Sequence, residues 1–172
     1  MFDTLKLTPN ESVIIRRSEP AVLEVEGIWG TGGSPPPKHF HPSQDEHFKV
    51  ILGTLHARVD GVEHELSQGA TLDIPAGAVH QMWNPGELEA RASWHTRPAG
   101  RTEEWFRAID ALYRDAGAGE DGTPSPLALG AVVSEFPDTF RLAVAPQPLM
   151  RPLVAALGAL GRARGHRRVG AA

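Results

Sequence analysis

His39, His41, Glu46 and His80 are side chains that bind first-row divalent metals, and their spacing lets them meet. His39 and His41 are two residues apart, so on a strand both imidazoles leave the same face. Pro42 to Asp45 is a turn-sized interruption, after which Glu46 heads the next strand and can return its carboxylate to that face. Much later, Pro75-Ala76-Gly77 makes a tight turn, in which Pro presets φ and Gly tolerates a positive one, and His80 begins the strand that follows. Three imidazoles and one carboxylate leave coordination positions open on an octahedral ion. That suits Fe, Mn or Ni with a chelating substrate or O₂, whereas structural zinc sites are closed and tetrahedral. One divalent transition metal is therefore expected, with zinc a further candidate.

The elements that must position these residues are short strands. Ala21–Trp29, Glu46–Leu52, Thr54–Val59, Val62–Leu66, Thr71–Ile74, Val79–Trp83 and Leu88–Thr96 are strand-length, and most are separated by Gly, Pro, Asn or Asp. Asp60-Gly61 predicts a two-residue hairpin that sets Val59 opposite Val62, Arg58 opposite Glu63 and His56 opposite Glu65. One face is charged and solvated, and Leu55, Ala57, Val59, Val62, His64 and Leu66 share the other. The pattern from Val13 to about Arg97 is that of a mainly β sandwich or barrel.

Two spaced patterns then point to a family. Gly33-x5-His39-x-His41-x4-Glu46-x6-Gly53 resembles the first cupin motif at every defined position, and Gly69-x5-Pro75-x-Gly77-x2-His80-x3-Asn84 resembles the second. The spacer of 15 residues is that of small single-domain bacterial cupins of the cupin-2 type. The resemblance implies a double-stranded β-helix jelly roll with the metal inside the barrel, held by His39, His41, Glu46 and His80. It also implies a metal-dependent oxygenase of the quercetinase-like kind, acting on a small, metal-chelating organic substrate, in which Glu46 can be displaced to act as a base. One cupin fold hosts many reactions, so two alternatives stand beside this one. They are a non-catalytic metal-dependent small-ligand binding protein and a metal-dependent isomerase or lyase.

Strand alternation supplies a candidate pocket. Phe48 and Val50 share the face of Glu46, and Met82 lies between His80 and Asn84, so the cavity beside the metal is expected to be apolar. Trp94 and His95 alternate, so only one of them faces inward; Trp94 joins the candidate lining. His64 is a candidate proton shuttle if its face is the lumen. His47, adjacent to Glu46, points to the opposite face, and His56 reads as half of a surface pair with Glu65.

After Pro98 the period changes. Thr102 can N-cap a helix with Glu103 and Glu104 in its first turn and Trp105, Phe106, Ile109, Leu112 and Tyr113 on one stripe, ending near Gly117. Ala116–Pro126 reads as a loop, Leu127–Phe136 as a second helix and Leu149 to about Arg164 as a third. The expected organisation is a cupin barrel over residues 1–100 and a C-terminal α-helical extension over 101–172, packed on the barrel or at a homodimer interface.

At 172 residues, with 41% apolar and 22% charged residues, the chain suits one core plus an appendage. No stretch approaches the roughly 20 apolar residues needed to span a bilayer, and the start lacks a secretory signal pattern, so a cytoplasmic protein is expected. The absence of Cys excludes disulfides, zinc-thiolate sites, iron-sulfur clusters and thiol nucleophiles. Thr31-Gly32-Gly33-Ser34 runs into three prolines and is no phosphate loop. Beyond Asp138 there are six Arg and no acid, while the preceding part holds 11 basic against 21 acidic residues. That basic tail reads as a helix end packed on the acidic barrel rather than as a nucleic-acid site. Contact with an anionic membrane surface is the minor alternative.

Overall fold

The protein is described here by a computed structural model that covers residues 3–114 and 124–165. Ten strands come first. They are β1 (Thr4–Thr8), β2 (Glu11–Glu19), β3 (Val22–Trp29), β4 (His39–Phe40), β5 (Asp45–Leu52), β6 (Thr54–Val59), β7 (Val62–Ser67), β8 (Thr71–Ile74), β9 (His80–Trp83) and β10 (Ala90–Arg97). Helices α1 (Thr102–Arg114) and α2 (Pro126–Val133), the short strand β11 (Arg141–Leu142) and helix α3 (Gln147–Ala163) follow.

The strands form two antiparallel sheets, one ordered β1-β2-β3-β10-β5-β8 and the other β11-β4-β9-β6-β7. From β3 to β10 the chain changes sheet at every step except the β6–β7 hairpin, as in a jelly roll. The core lies between them and is built by alternation. Ala92, Trp94 and Thr96 of β10 pair with Val50, Phe48 and Glu46 of β5, all buried, while Ser93 and His95 turn outward. Trp94, not His95, therefore faces inward. Gly27 is needed beneath Trp29, since a Cβ there would come within 2.4 Å of the Trp29 ring.

The Asp60-Gly61 hairpin has the expected register, with φ of 48° and 87° at its two central residues. It also holds the site. Asp60 Oδ1 accepts from the Val79 amide at 2.9 Å, and the Asp60 amide donates to the Val79 carbonyl at 2.8 Å, just before His80. The Pro75–Gly77 turn is tied to the first motif in turn. Gly77 N–H donates to His41 O at 2.8 Å, and Ala76 N–H to Asp45 Oδ1 at 2.9 Å.

Strand β1 lies upstream of the region read as strands from the sequence. It pairs with β2, and its outer edge is met by α1, where Asp110 Oδ1 accepts from the Lys6 amide at 2.8 Å. Trp105, Phe106, Ile109 and Leu112 of α1 are buried, as their stripe predicts. Thr102 is the first residue of the helix rather than a free cap. Its buried hydroxyl accepts from Gln44 Nε2 at 2.6 Å, and the same amide group donates to Ala99 O at 2.9 Å. The expected end of α1 near Gly117 and most of the loop after it lie outside the described residues.

Helix α2 starts one residue before the expected Leu127 and stops at Val133. Ser125 caps it, accepting from the Ala128 amide at 3.2 Å, and Pro126 opens its first turn. Helix α3 packs against α2 through Gly158 and Gly161, and a Cβ at Gly161 would come within 2.6 Å of Leu127 O. Arg162 reaches Ser134 Oγ at 2.9 Å; Arg167 and Arg168 lie outside the described residues. No helix among the described residues is long and apolar enough to cross a membrane.

Candidate metal centre

Strands β4, β5 and β9 bring the four sequence-predicted ligands together. His39 on β4 is directly opposite His80 on β9, and His41 follows two residues later on the same side. The three imidazoles present ligand atoms all within 4.8 Å of one another. Glu46, from the facing sheet, lies beside two of them: Oε1 is 3.4 Å from His41 Nε2 and Oε2 is 3.0 Å from His80 Nε2.

The outer ring nitrogens fix which atoms point inward. His39 Nδ1 meets Pro37 O at 3.0 Å, His41 Nδ1 meets Thr139 O at 2.6 Å and His80 Nδ1 meets Ala78 O at 3.0 Å. A backbone carbonyl only accepts, so each Nδ1 carries hydrogen and each Nε2 is left as a lone-pair donor to the centre. On the carboxylate, Oε1 accepts from Trp94 Nε1 at 3.0 Å, while the buried Oε2 has no directed hydrogen-bond donor among the described residues. An orphaned carboxylate oxygen facing imidazole lone pairs is what a divalent cation would satisfy. The donor set fits a metal.

The charges agree with that fit. Burial, with His80 and His41 beside it, pushes His39 down to about 3, so it stays neutral. Burial would raise Glu46, but His41, His80 and His39 outweigh it and hold the carboxyl down at about 2, ionised. At His80, burial favours the neutral ring, yet the neighbouring Glu46 carboxylate wins and raises its pKa. A metal ion and a proton thus compete for His80.

Two residues of this centre were not legible as site residues in the sequence. Thr139 supplies only a backbone carbonyl, and Phe140 stacks on the His39 ring with centroids 4.8 Å apart. Both belong to the segment before β11, which pairs with β4.

The remaining candidates separate clearly. Phe48 stacks on Trp94 at 5.1 Å and Trp94 meets Phe106 of α1 at 5.1 Å, so Phe48, Val50 and Trp94 fill the barrel core rather than line an open pocket. Met82 and Asn84 do line a cavity of about 430 Å³, together with Glu11 and Trp29. Asn84 also clamps a turn, donating to Leu88 O at 2.7 Å and Gly30 O at 3.0 Å and accepting from the Gly86 amide at 3.0 Å. His64, opposite Ala57, is half-buried on β7. Strand β6 separates it from β9, roughly 10 Å away at ordinary strand spacing, so it is not brought to the centre. His47 pairs outward with Asp73 at 2.6 Å, and His56 faces the Trp83 ring at 5.8 Å. His95 meets Ser93 Oγ at 3.1 Å on the outer surface.

Comparison with known proteins decides the family. Residues 28–96 match the cupin domain. The RmlC-like cupin from Shewanella frigidimarina superposes with a TM-score of 0.54 at 18% identity, over 59% of this chain and 88% of that one. KdgF from Halomonas sp. gives 0.50 at 18% identity, over 55% and 87%. This barrel belongs to the cupin superfamily. Sequence relatives of the cupin include an oxidoreductase of Arthrobotrys oligospora, 44% identical over 57 residues, which are 32% of this chain and 22% of the relative. Protein SchB of Streptomyces halstedii is 36% identical over 61 residues, 36% of this chain and 44% of the relative. The tetracenomycin polyketide synthase protein TcmJ of Streptomyces glaucescens is 33% identical over 61 residues, 36% and 41%. The matches thus span less than half the length of these relatives.

Proposed function

We propose that this cupin is a metal-dependent oxygenase acting on a small organic substrate, with His39, His41, Glu46 and His80 as the ligands. One observation carries the reading. Each imidazole is tied through Nδ1 to a backbone carbonyl and turns Nε2 toward the others, next to a carboxylate oxygen with no directed hydrogen bond among the described residues. When bound, the ion would supply a Lewis acid with positions left open for substrate and, for Fe, Mn or Ni, access to redox chemistry.

The protein's own residues do the positioning. The two β9 anchors at Val79 place His80, Trp94 holds one Glu46 oxygen so that the other faces the imidazoles, and Phe140 covers His39. Glu46 serves as a ligand and, once displaced from the ion, as the base. The oxygenase class draws support from the relative named an oxidoreductase, and the relative named for a polyketide synthase directs the substrate search to polyketides.

Elemental analysis of protein purified without added metal, followed by oxygen-electrode assays of the Fe(II) form with polyketide candidates, tests this. Stoichiometric transition metal and substrate-dependent oxygen uptake are expected. Turnover that continues unchanged without oxygen would move the reading to an isomerase or lyase.

A further inference from the structure

The cavity of about 430 Å³ has a composition that the metal centre does not explain. It opens between the Thr8–Glu11 turn and the Thr31–Pro36 approach, and Trp29 and Met82 belong to its wall. Met82 lies two residues beyond His80 on β9 and leaves the same face, so the chamber runs alongside the strand that carries His80, although none of the four candidate ligands is in its wall. Glu11 pairs with Trp29 across β2 and β3, which puts both side chains on one face. Its carboxyl has no hydrogen bond or ion pair among the described residues. Every other polar side chain of the wall is neutral (Thr, Asn, Ser or Trp), and no Lys, Arg or His lines it.

A phosphate or carboxylate ligand would leave water for a wall that offers no Lys, Arg or His to offset its charge, within the field of the Glu46 carboxylate. An uncharged ring would instead lie against Trp29 and Met82, between rigid prolines. We propose that this cavity is the substrate chamber of the metal site, that it selects uncharged, flat molecules bearing a carbonyl or phenolic oxygen, and that Glu11 binds that oxygen. The assignment of the chamber rests on the metal-dependent reading; its selectivity does not. The protonation of Glu11 is consistent with this use, because burial, with the Glu46 charge adding to it, raises its carboxyl to about 8 and leaves it a hydrogen-bond donor at neutral pH.

The test uses the full chain at pH 7, both chelator-treated and Ni(II)-loaded. It is titrated with 2-naphthol, 2-acetonaphthone, 2-naphthoate and 2-naphthyl phosphate and followed by tryptophan fluorescence and methionine-methyl NMR. Both neutral probes are expected to bind and to shift the Met82 methyl, with the two anions about tenfold weaker or worse. Glu11→Ala should weaken the neutral probes about fivefold or more, and Glu11→Lys should admit 2-naphthoate. If Glu11→Lys does not fold, Glu11→Gln replaces it; this variant keeps a donor and should retain 2-naphthol binding within about threefold. Anions binding as tightly as the neutral probes overturns the proposal, as does failure of both neutral probes or indifference to Glu11→Ala. Absence of metal on elemental analysis overturns the metal-dependent reading alone, since chamber selectivity is also measured on chelated protein.

Discussion

Each imidazole of the centre is aimed by a hydrogen bond from its far side, and the carboxylate by Trp94. Trp94→Phe keeps the ring that packs between Phe48 and Phe106 but removes the donor to Glu46. The expected outcome is a metal affinity lower by about 10- to 100-fold, with a nearly unchanged melting temperature, read by competition with a chromogenic chelator. Glu11 offers a prediction with a definite sign. Its folded pKa of about 8 is above the ordinary carboxyl value of 4.5, so the folded state holds more protons between those values, and this contribution to stability is lost as pH rises from 4.5 to 8. Denaturant midpoints compared at pH 5 and pH 8 should show the Glu11→Gln variant losing less stability than the wild type over that interval. The four candidate ligands were legible in the sequence because His-x-His, Glu46 and His80 lie at strand spacing beside turn residues. Glu11 was not, because a single acid after Pro9-Asn10 looks like any solvated turn until the fold sets it in a cavity wall with Trp29.

At the scale of elements, turns do more than connect. Gly53 closes the first motif with φ of 73°, and a Cβ there would come within 2.6 Å of Glu89 O, so backbone has to move. Gly53→Ala should cost about 1–3 kcal/mol, measured by chemical denaturation, and lower metal content only as far as the fold is lost. The Asp60-Gly61 hairpin and its register were readable because the local turn chemistry is specific. Strand β1 and β11 were not. Both are short, and β11, only Arg141–Leu142, exists because β4 offers it an edge. The apolar face that carries His64 is buried at Leu55, Ala57 and Leu66 but reaches solvent at Val62, and periodicity does not say how many strands separate it from the metal.

At the scale of the whole molecule, the helices cover the barrel and also contribute to its centre. Trp105 stacks on Phe140 at 4.6 Å, and Phe140 stacks on His39, so an aromatic column runs from α1 to a candidate ligand. Removing the chain after Gly100 should expose the α1 contact face and cause aggregation. The milder Phe140→Ala should leave the barrel soluble, yet weaken metal binding several-fold, seen by calorimetry. The sequence showed three helices with an apolar stripe. It did not show where they dock, since amphipathicity names a face and not its partner.

The bond from His41 to the Thr139 carbonyl joins residues 98 positions apart. During synthesis all four candidate ligands leave the ribosome well before the segment that orients one of them. A nascent barrel therefore has the ligands but lacks one of its aiming groups, and metal capture should lag behind barrel closure until Thr139 and β11 have been added along the edge of β4. Metal occupancy would then report that the chain has been made through β11, a form of proofreading in which a later segment makes an earlier one competent.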